Sequence, residues 1–461
     1  MPPERESRLQ RQAANDPGAG ADLIDLTAFI DGRPLGAFQI RLMLMIGVVV
    51  LMDGFDLQAM GFVAPALAAA WRISPDALGP IFGAALIGML AGSILLSPLA
   101  DRIGRRPVLV ASTGFFGAAM LLTAAVQTIP ELVALRFLTG FGVGGVMGNA
   151  IALASEFSPR RLRASLLMWI SCGFTGGAIL GAVLSAVLAP LAGWRSVFLA
   201  GGVLPILTAA AMFRLLPESL AFSLLRAGAD ARTLVWVRRM APDAALGADV
   251  RFVRPANPAD RSSITALFTH GRWLATGLLW LVSFCNLLDL FFLSNWLPLL
   301  TVRAGYAHST AVLIGATLQA GGLMGAAFLG PLIDRAGFFR VLLTAFLVAI
   351  PAIAAVGQAA APLPFVMAVV LASGVCILGA QPGVNALAAS LYPTEARATG
   401  VGWCLGIGRA GSILGPFVAA WFIRLHVSNA QLFMAAAAPA LVAAFATFAL
   451  WRVVERGRLV A

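Results

Sequence analysis

Two carboxylates three residues apart are the first groups in this sequence that could do chemistry. Asp53 and Asp56, in Met52-Asp53-Gly54-Phe55-Asp56, sit in the middle of an apolar run. On a helix such residues lie on neighbouring faces, about 4.5 Å apart along the axis. Burial disfavours the charged form of a carboxyl, and a second carboxyl beside it does so further. A pair placed this way can take a proton from water on one side and release it on the other. The alternative is a pair neutralised by arginine and inert. Arg136 lies inside another apolar run, ahead of Gly140, Gly142, Gly144 and Gly145. A charge at that depth costs about 3 kcal/mol on insertion scales and needs a partner or a wet cavity. Asp289, in Cys285-Asn286-Leu287-Leu288-Asp289, is a third acid within an apolar run. It could accept a hydroxyl or amine of a substrate, add a protonation site, or pair with an arginine. Asn286, Gln319, Gln381 and Asn385 are also polar and deep. They either line a cavity or join helices by hydrogen bonds.

The elements that must hold these groups are membrane helices. Of the 461 residues 60% are hydrophobic and 11% charged, with mean hydropathy +0.89. Soluble domains carry about 25% charged residues, and a soluble fold of this length could not hide so much apolar surface. Apolar runs fall at 42–70, 79–99, 108–127, 131–155, 165–189 and 196–215, then at 274–300, 308–332, 340–359, 363–391, 399–423 and 430–451. About twenty residues at 1.5 Å each cross the hydrocarbon core, so each run is one crossing and the fold class is an all-α membrane protein of twelve helices. The parts are a segment 1–40, a six-helix bundle 41–216, a linker 217–271, a second bundle 272–452 and a tail 453–461. Residues 231–240 read as a short amphipathic helix on the membrane surface or as a solvated linker.

Net charge is +11 and all 32 cationic residues are arginine. They recur in short clusters between apolar runs instead of forming one patch, which argues against nucleic acid and for the positive-inside pattern. Arg102, Arg105, Arg106, Arg160, Arg161, Arg163, Arg335, Arg340 and Arg397 share one face with the arginine-rich linker, against Arg72, Arg195, Arg303 and Arg424 on the other. Both termini are therefore expected on the cytoplasmic side, in the inner (plasma) membrane, and no signal peptide is read in residues 1–40. Cys172, Cys285, Cys376 and Cys404 have no metal-ligand spacing. No Ser/His/Asp set or phosphate loop appears, His308 and His426 fall in outer loops and His270 in the linker, so an enzyme is not expected, nor a cofactor or metal.

The chain repeats itself. Asp101-Arg102-Ile103-Gly104 returns as Asp334-Arg335-Ala336-Gly337 at an offset of 233, and Pro159, Arg163 and Ala164 return as Pro393, Arg397 and Ala398 at 234. Parallel halves suit an alternating-access carrier with its site at their interface. Asp101-Arg102-Ile103-Gly104-Arg105-Arg106 resembles the loop signature of the major facilitator superfamily, with Ser97 at its usual first glycine and Gly330 intact in the second copy. Gly104 would permit the tight turn, and Asp101 would cap a helix or pair across the halves. These loops, with Arg102, Arg105, Arg106, Asp334, Arg335, Glu395 and Arg397, are read as gates; Glu156 is expected to gate with Arg160 or Arg163.

Longer stretches carry a narrower resemblance. Asp53-Gly54-Phe55-Asp56 followed by Ala59-Met60-Gly61-Phe62, Arg136-Phe137-Leu138-Thr139-Gly140, Leu216-Pro217-Glu218-Ser219 and Asn295-Trp296-Leu297-Pro298 look like the aromatic acid:H⁺ symporter family. So do Tyr392-Pro393-Thr394, Arg397-Ala398-Thr399-Gly400 and Gly406-Ile407-Gly408-Arg409. The chain is similar to that family's 4-hydroxybenzoate/protocatechuate transporters over nearly all residues beyond 30. The resemblance implies proton-coupled uptake of aromatic carboxylates by a monomer whose partners are protons, a small organic anion and the bilayer. It implies that Asp53 and Asp56 carry the proton and that Arg136 stabilises their charge. Arg409 would receive the substrate carboxylate, because a guanidinium can pair bidentately with it, or else would hold its helix by an ion pair. Asn286, Gln319, Gln381, Asn385 and Asp289 would line the cavity, and Phe291, Phe292 or Trp403 would stack on a ring or pack. Asp289 departs from the benzoate-type pattern and leaves the substrate open. The run Cys172-Gly173-Phe174-Thr175-Gly176-Gly177 lacks the Gly-Pro signature of antiporters, which favours symport. Other readings are a carrier of a different organic anion, such as muconate or a sugar acid, and a transporter-like sensor.

Overall fold

The structure is a computed structural model and describes residues 23–224, 229–240, 251–253, 267–268, 272–358, 362–392 and 396–456. Among the described residues, twelve long helical elements carry the apolar runs. They are α1 (Ala37–Trp71), α2 (Leu78–Ile103), α3 (Arg105–Thr123), α4 (Ile129–Glu156), α5 (Arg160–Ala192), α6 (Arg195–Leu215), α7 (Trp273–Arg303), α8 (His308–Ala336), α9 (Phe338–Val356), α10 (Leu363–Leu391), α11 (Arg397–Arg424) and α12 (Asn429–Glu455). Eleven meet a length-and-hydropathy standard for crossing a membrane. The other, α1, has 35 residues, or roughly 52 Å at 1.5 Å per residue.

The two halves pack alike. In the first, α1 lies along α5, α2 along α4 and α3 along α6; in the second, α7 lies along α11, α8 along α10 and α9 along α12. Small residues allow the close approaches. A Cβ on Gly140 would stand 1.9 Å from the Ala85 carbonyl oxygen, and one on Gly88 2.0 Å from that of Phe137, so α2 and α4 touch backbone to backbone there. Both long-motif helices break their α-helical ladder at matching depth. α4 interrupts at Gly145–Val146, and α10 passes through a π-turn at Gly374–Leu378. Such turns redirect side chains inside a helix.

Between the halves, contacts gather near the loop that joins α1 to α2. The Phe82 ring meets Trp296 edge-on at 5.3 Å. Gly79 abuts Ala420, Gly83 abuts the Phe417 ring, Gly61 abuts the Ser294 carbonyl, and Gly315 abuts Phe62. These contacts do not extend to the end that carries Asp101 and Asp334. Met168 and Trp169 of α5 and Phe328 of α8 are exposed, and a Cβ on Gly402 or Gly406 of α11 would meet nothing within 4 Å.

The chain outside the bundles is more organised than the sequence suggests. Strand β1 (Leu23–Asp25) pairs parallel with β2 (Arg251–Val253), Leu23 opposite Arg251. The short helix Leu26–Asp31 follows, and the Asp31 carboxylate accepts from the Arg160 backbone N–H at 2.6 Å, capping α5. Of the two readings of residues 231–240, the helical one matches the structure, which has a helix Ala229–Met240 with Trp236 6.0 Å from Phe38 of α1.

Candidate functional site

Arg136 and Asp56 form the central pair of the first half. Arg136 Nη1 donates to Asp56 Oδ1 at 2.9 Å and Nη2 to Oδ2 at 3.1 Å and to the Asp56 carbonyl at 3.3 Å. Both side chains are fully buried. The fork geometry satisfies both carboxylate oxygens at once, as a buried pair requires. The Phe198 ring stands 5.8 Å from the guanidinium carbon. Arg136 thus belongs to Asp56 alone of the two acids.

Asp53 has a different environment. It is 3% exposed and its Oδ1 has no hydrogen-bond partner. The cation whose charge acts on it is Arg409, on α11 of the other half. No Asp53–Arg409 contact reaches ion-pair distance, and Arg409 Nη1 instead points at Met89 Sδ of α2, 3.0 Å away. Arg409 therefore reaches across from the second half to the first. Gly402 and Gly406 lie within about 60° of Arg409 around the α11 axis, and a Cβ on either would meet nothing within 4 Å, while the exposed Leu405 stands about 40° to the other side of Arg409. Trp403 lies about 120° from Arg409 on the same helix and stacks on Trp280 of α7 at 5.8 Å. It is engaged away from Arg409.

In the second half three amides form a ladder. Asn286 Nδ2 donates to Gln381 Oε1 at 2.7 Å, and Gln381 Nε2 donates to Asn385 Oδ1 at 3.0 Å. Gln319 stands apart, its Nε2 3.4 Å from Ser294 Oγ. Asp289 is fully buried, its two carboxylate oxygens make no hydrogen bond of good geometry, and the Ala440 backbone N–H of α12 approaches them as a weak donor. A small cavity on the half interface is lined by Leu57, Met60, Phe82, Arg136, Phe291 and Asn295.

The loops divide. Arg105 Nη1 is hydrogen-bonded to Glu156 Oε1, and Ser219 Oγ donates to both Glu156 oxygens at 3.0 and 2.8 Å. Glu218 accepts the Arg106 N–H at 3.0 Å and fills the space beside Gly104, whose φ of +109° suits glycine. The Glu156 carboxylate thus binds Arg105, while Arg163 donates to the Ser158 carbonyl at 3.1 Å. This corrects the expected pairing of Glu156 with Arg160 or Arg163: Arg160 is taken up by Asp31, which the α5 turn brings to it. Asp101, 72% exposed at its side chain, meets Arg105 only at 3.8 Å, one helical turn away in the same segment. Arg102, Asp334, Arg335 and Arg397 are exposed. Glu395 lies outside the described residues. Met89, Phe198 and Ser219 join the site without a prior expectation from the sequence. Ser219 stands in a recognisable Leu-Pro-Glu-Ser run, whereas Met89 and Phe198 are apolar residues among apolar residues and carry no signal.

Comparison with known proteins agrees with this geometry. Residues 46–362 and 279–460 match the family model described as Major Facilitator Superfamily. The chain is 39% identical over 431 residues to the 4-hydroxybenzoate transporter PcaK of Pseudomonas aeruginosa, covering 93% of this chain and 96% of that protein. It is 35% identical over 426 residues to the gallate transporter of Pseudomonas putida, covering 92% and 95%. A crystal structure of a bacterial homolog of the human lysosomal transporter Spinster, inward-facing and unoccupied, matches with a TM-score of 0.72 at 16% identity over 92% of this chain and 99% of that one. At that identity the likeness is one of fold.

Proposed function

The chain belongs to the Major Facilitator Superfamily, and from that premise we propose that it imports aromatic carboxylates of the hydroxybenzoate class with protons, by alternating access. The observation that carries this reading is Arg409. It is a cation deep in the span, reaching from one half to the other, facing an acid that has no other counter-charge among the described residues. A substrate carboxylate arriving from an open end meets a guanidinium for which Asp53 is the one acid acting on it among the described residues. When the substrate takes Arg409, Asp53 loses its compensating charge and is better accommodated as the neutral acid. Proton and substrate then occupy the site together, which is symport. The names of the 39% and 35% identical relatives support an aromatic acid as the cargo. Gly402 and Gly406 leave open space on one side of α11 below Arg409, where a ring would sit between them and Leu405, with Asn286, Gln381, Asn385 and Gln319 as polar lining.

With the arginine-rich side taken as cytoplasmic, the conformation described is inward-facing: sealed at Phe82, Trp296 and Phe417, open at the Asp101 and Asp334 loops. On this reading the carrier sits in the inner membrane with both termini inside and works as a monomer. The Arg105–Glu156 contact holds the first loop while the halves rock. The test is uptake of labelled 4-hydroxybenzoate, gallate and benzoate into proteoliposomes by wild type and Arg409→Gln. Uptake of at least one acid, and its loss in the variant, are expected. Wild-type rates in Arg409→Gln would remove Arg409 from the substrate path, and no uptake of any aromatic acid by folded wild type would remove the substrate class.

A further inference from the structure

The internal repeat gives Asp289 a meaning that its position alone does not. α1 and α7 align at an offset of 233, where Pro65 falls on Pro298, Asp53 on Asn286 and Asp56 on Asp289. α4 and α10 align at 234, where Pro159 falls on Pro393, Gly145 on Gly379 and Arg136 on Val370. The second half thus has the counterpart of Asp56 without the counterpart of Arg136. Val370 is fully buried, so its isopropyl group stands where the first half buries a guanidinium.

The side-chain contacts agree with that alignment. Asp56 has both oxygens in the Arg136 fork, whereas Asp289, equally buried, has no charged or side-chain partner among the described residues. Among the described residues no cation stands within 4 Å of Asp289. The titratable groups on the helices packed against α7 are Arg41, Asp53 and Asp56 on α1, Cys376 on α10 and Arg397, Cys404, Arg409 and Arg424 on α11, of which Arg41, Arg397 and Arg424 stand toward helix ends, as Arg303 does on α7 itself. Those of α8 (His308, Asp334, Arg335) and α12 (Arg452, Glu455) lie at helix ends. Arg409 faces Asp53 instead. On α7 itself the neighbour is Cys285, four residues back. An isolated carboxylate cannot be sustained there, and the counter-charge open to it is a proton. The Ala440 backbone N–H of α12 approaches Asp289, a donor that carries no net charge to neutralise it. One turn along α7, Asn286 begins the amide ladder to Gln381 and Asn385, which are partly exposed. Asn286 Oδ1 is itself unpartnered. The ladder gives water a polar route from the open end to within one turn of Asp289.

We propose that Asp289 is a second proton-binding site, housed in the second half and separate from Asp53 and Asp56, reached along Asn286, Gln381 and Asn385. The proposal rests on the reading of the chain as a proton-coupled carrier. Asp289 takes a proton from water on one face as the neutral acid and returns it to water on the other. With the proton carried near Asp53, a monoanion then travels with two protons, and transport moves one net positive charge.

The experiment is steady-state accumulation of labelled 4-hydroxybenzoate in proteoliposomes under a fixed proton-motive force, with the reversal potential read in parallel, for wild type and Asp289→Asn. Substrate counterflow, which needs no net proton movement, reports that the variant is folded. Wild type is expected to show two protons per monoanion. Asp289→Asn is expected to keep counterflow and lose about tenfold in accumulation for each ~59 mV of driving force, the one-charge conversion. Gradient-driven accumulation that is the same in Asp289→Asn overturns the proposal and leaves symport standing. A wild type that moves one proton per monoanion overturns it without any variant. Uptake that ignores the gradient in wild type overturns the symport reading beneath it.

Discussion

The two halves share a plan but solve the same electrostatic problem differently. In the first, Asp56 and Arg136 neutralise each other through a bidentate contact with both side chains fully buried. In the second, the matching positions hold Asp289 and Val370, and the acid is left to itself. The loops differ in the same direction. Arg105, Glu156, Glu218 and Ser219 knit the first loop into its bundle, whereas Asp334, Arg335 and Arg397 stand exposed. A buried ion pair is a fixed structural element, because breaking either partner strands the other. An acid without a guanidinium is free to exchange a proton. On the proposed reading, the half with the complete pair supplies the frame, and charge movement falls to Asp53, Arg409 and Asp289.

The largest break of that comparison is Arg136→Leu. It leaves Asp56 buried and alone, and is expected to cost about 3–5 kcal/mol of stability, read as a lower melting temperature and yield in detergent. The double variant Asp56→Asn/Arg136→Leu should recover most of the loss. A stable single variant would contradict a structural role for the pair. Next comes the loop contrast. Glu156→Gln should cost about 1–3 kcal/mol by weakening a partly buried charged hydrogen-bond centre, while Asp334→Asn, on the surface, should stay within about 0.5 kcal/mol. Thermal melts of the two variants side by side decide it, and equal shifts would erase the distinction between the loops. Val370→Arg sharpens the comparison from the other side by giving Asp289 the partner its counterpart has. Uptake should persist with one proton fewer per substrate, about 1.4 kcal/mol for each tenfold of accumulation lost. An unchanged reversal potential in that variant would separate Asp289 from proton movement.

Much of this architecture is legible in the amino-acid sequence. The apolar runs announce the twelve helices because a bilayer demands about twenty apolar residues per crossing, and the two Asp-Arg-x-Gly loops announce the repeat. Asp53, Asp56, Arg136 and Arg409 stand out because charge inside apolar sequence is costly and rarely idle. What the sequence does not supply is partnership. Nothing in the spacing says that Arg136 takes Asp56 and leaves Asp53 to an arginine 409 − 53 = 356 residues away. Glu156 lies close in sequence to Arg160 and Arg163, yet the fold delivers Arg105 to it, because α3 returns beside α4. Trp403 has the right chemistry to stack on a ring, but its angle on α11 sends it to Trp280. Pairings of this kind are set by helix rotation and packing, which local pattern does not encode.

The most direct test of the central claim is uptake of radiolabelled 4-hydroxybenzoate into proteoliposomes with and without an inward proton gradient, for wild type and Asp53→Asn. Gradient-dependent accumulation in wild type, abolished in Asp53→Asn while substrate exchange persists, is the expected result. Accumulation that is equal with and without the gradient, or that survives in Asp53→Asn, would contradict proton coupling through the Asp53–Arg409 pair.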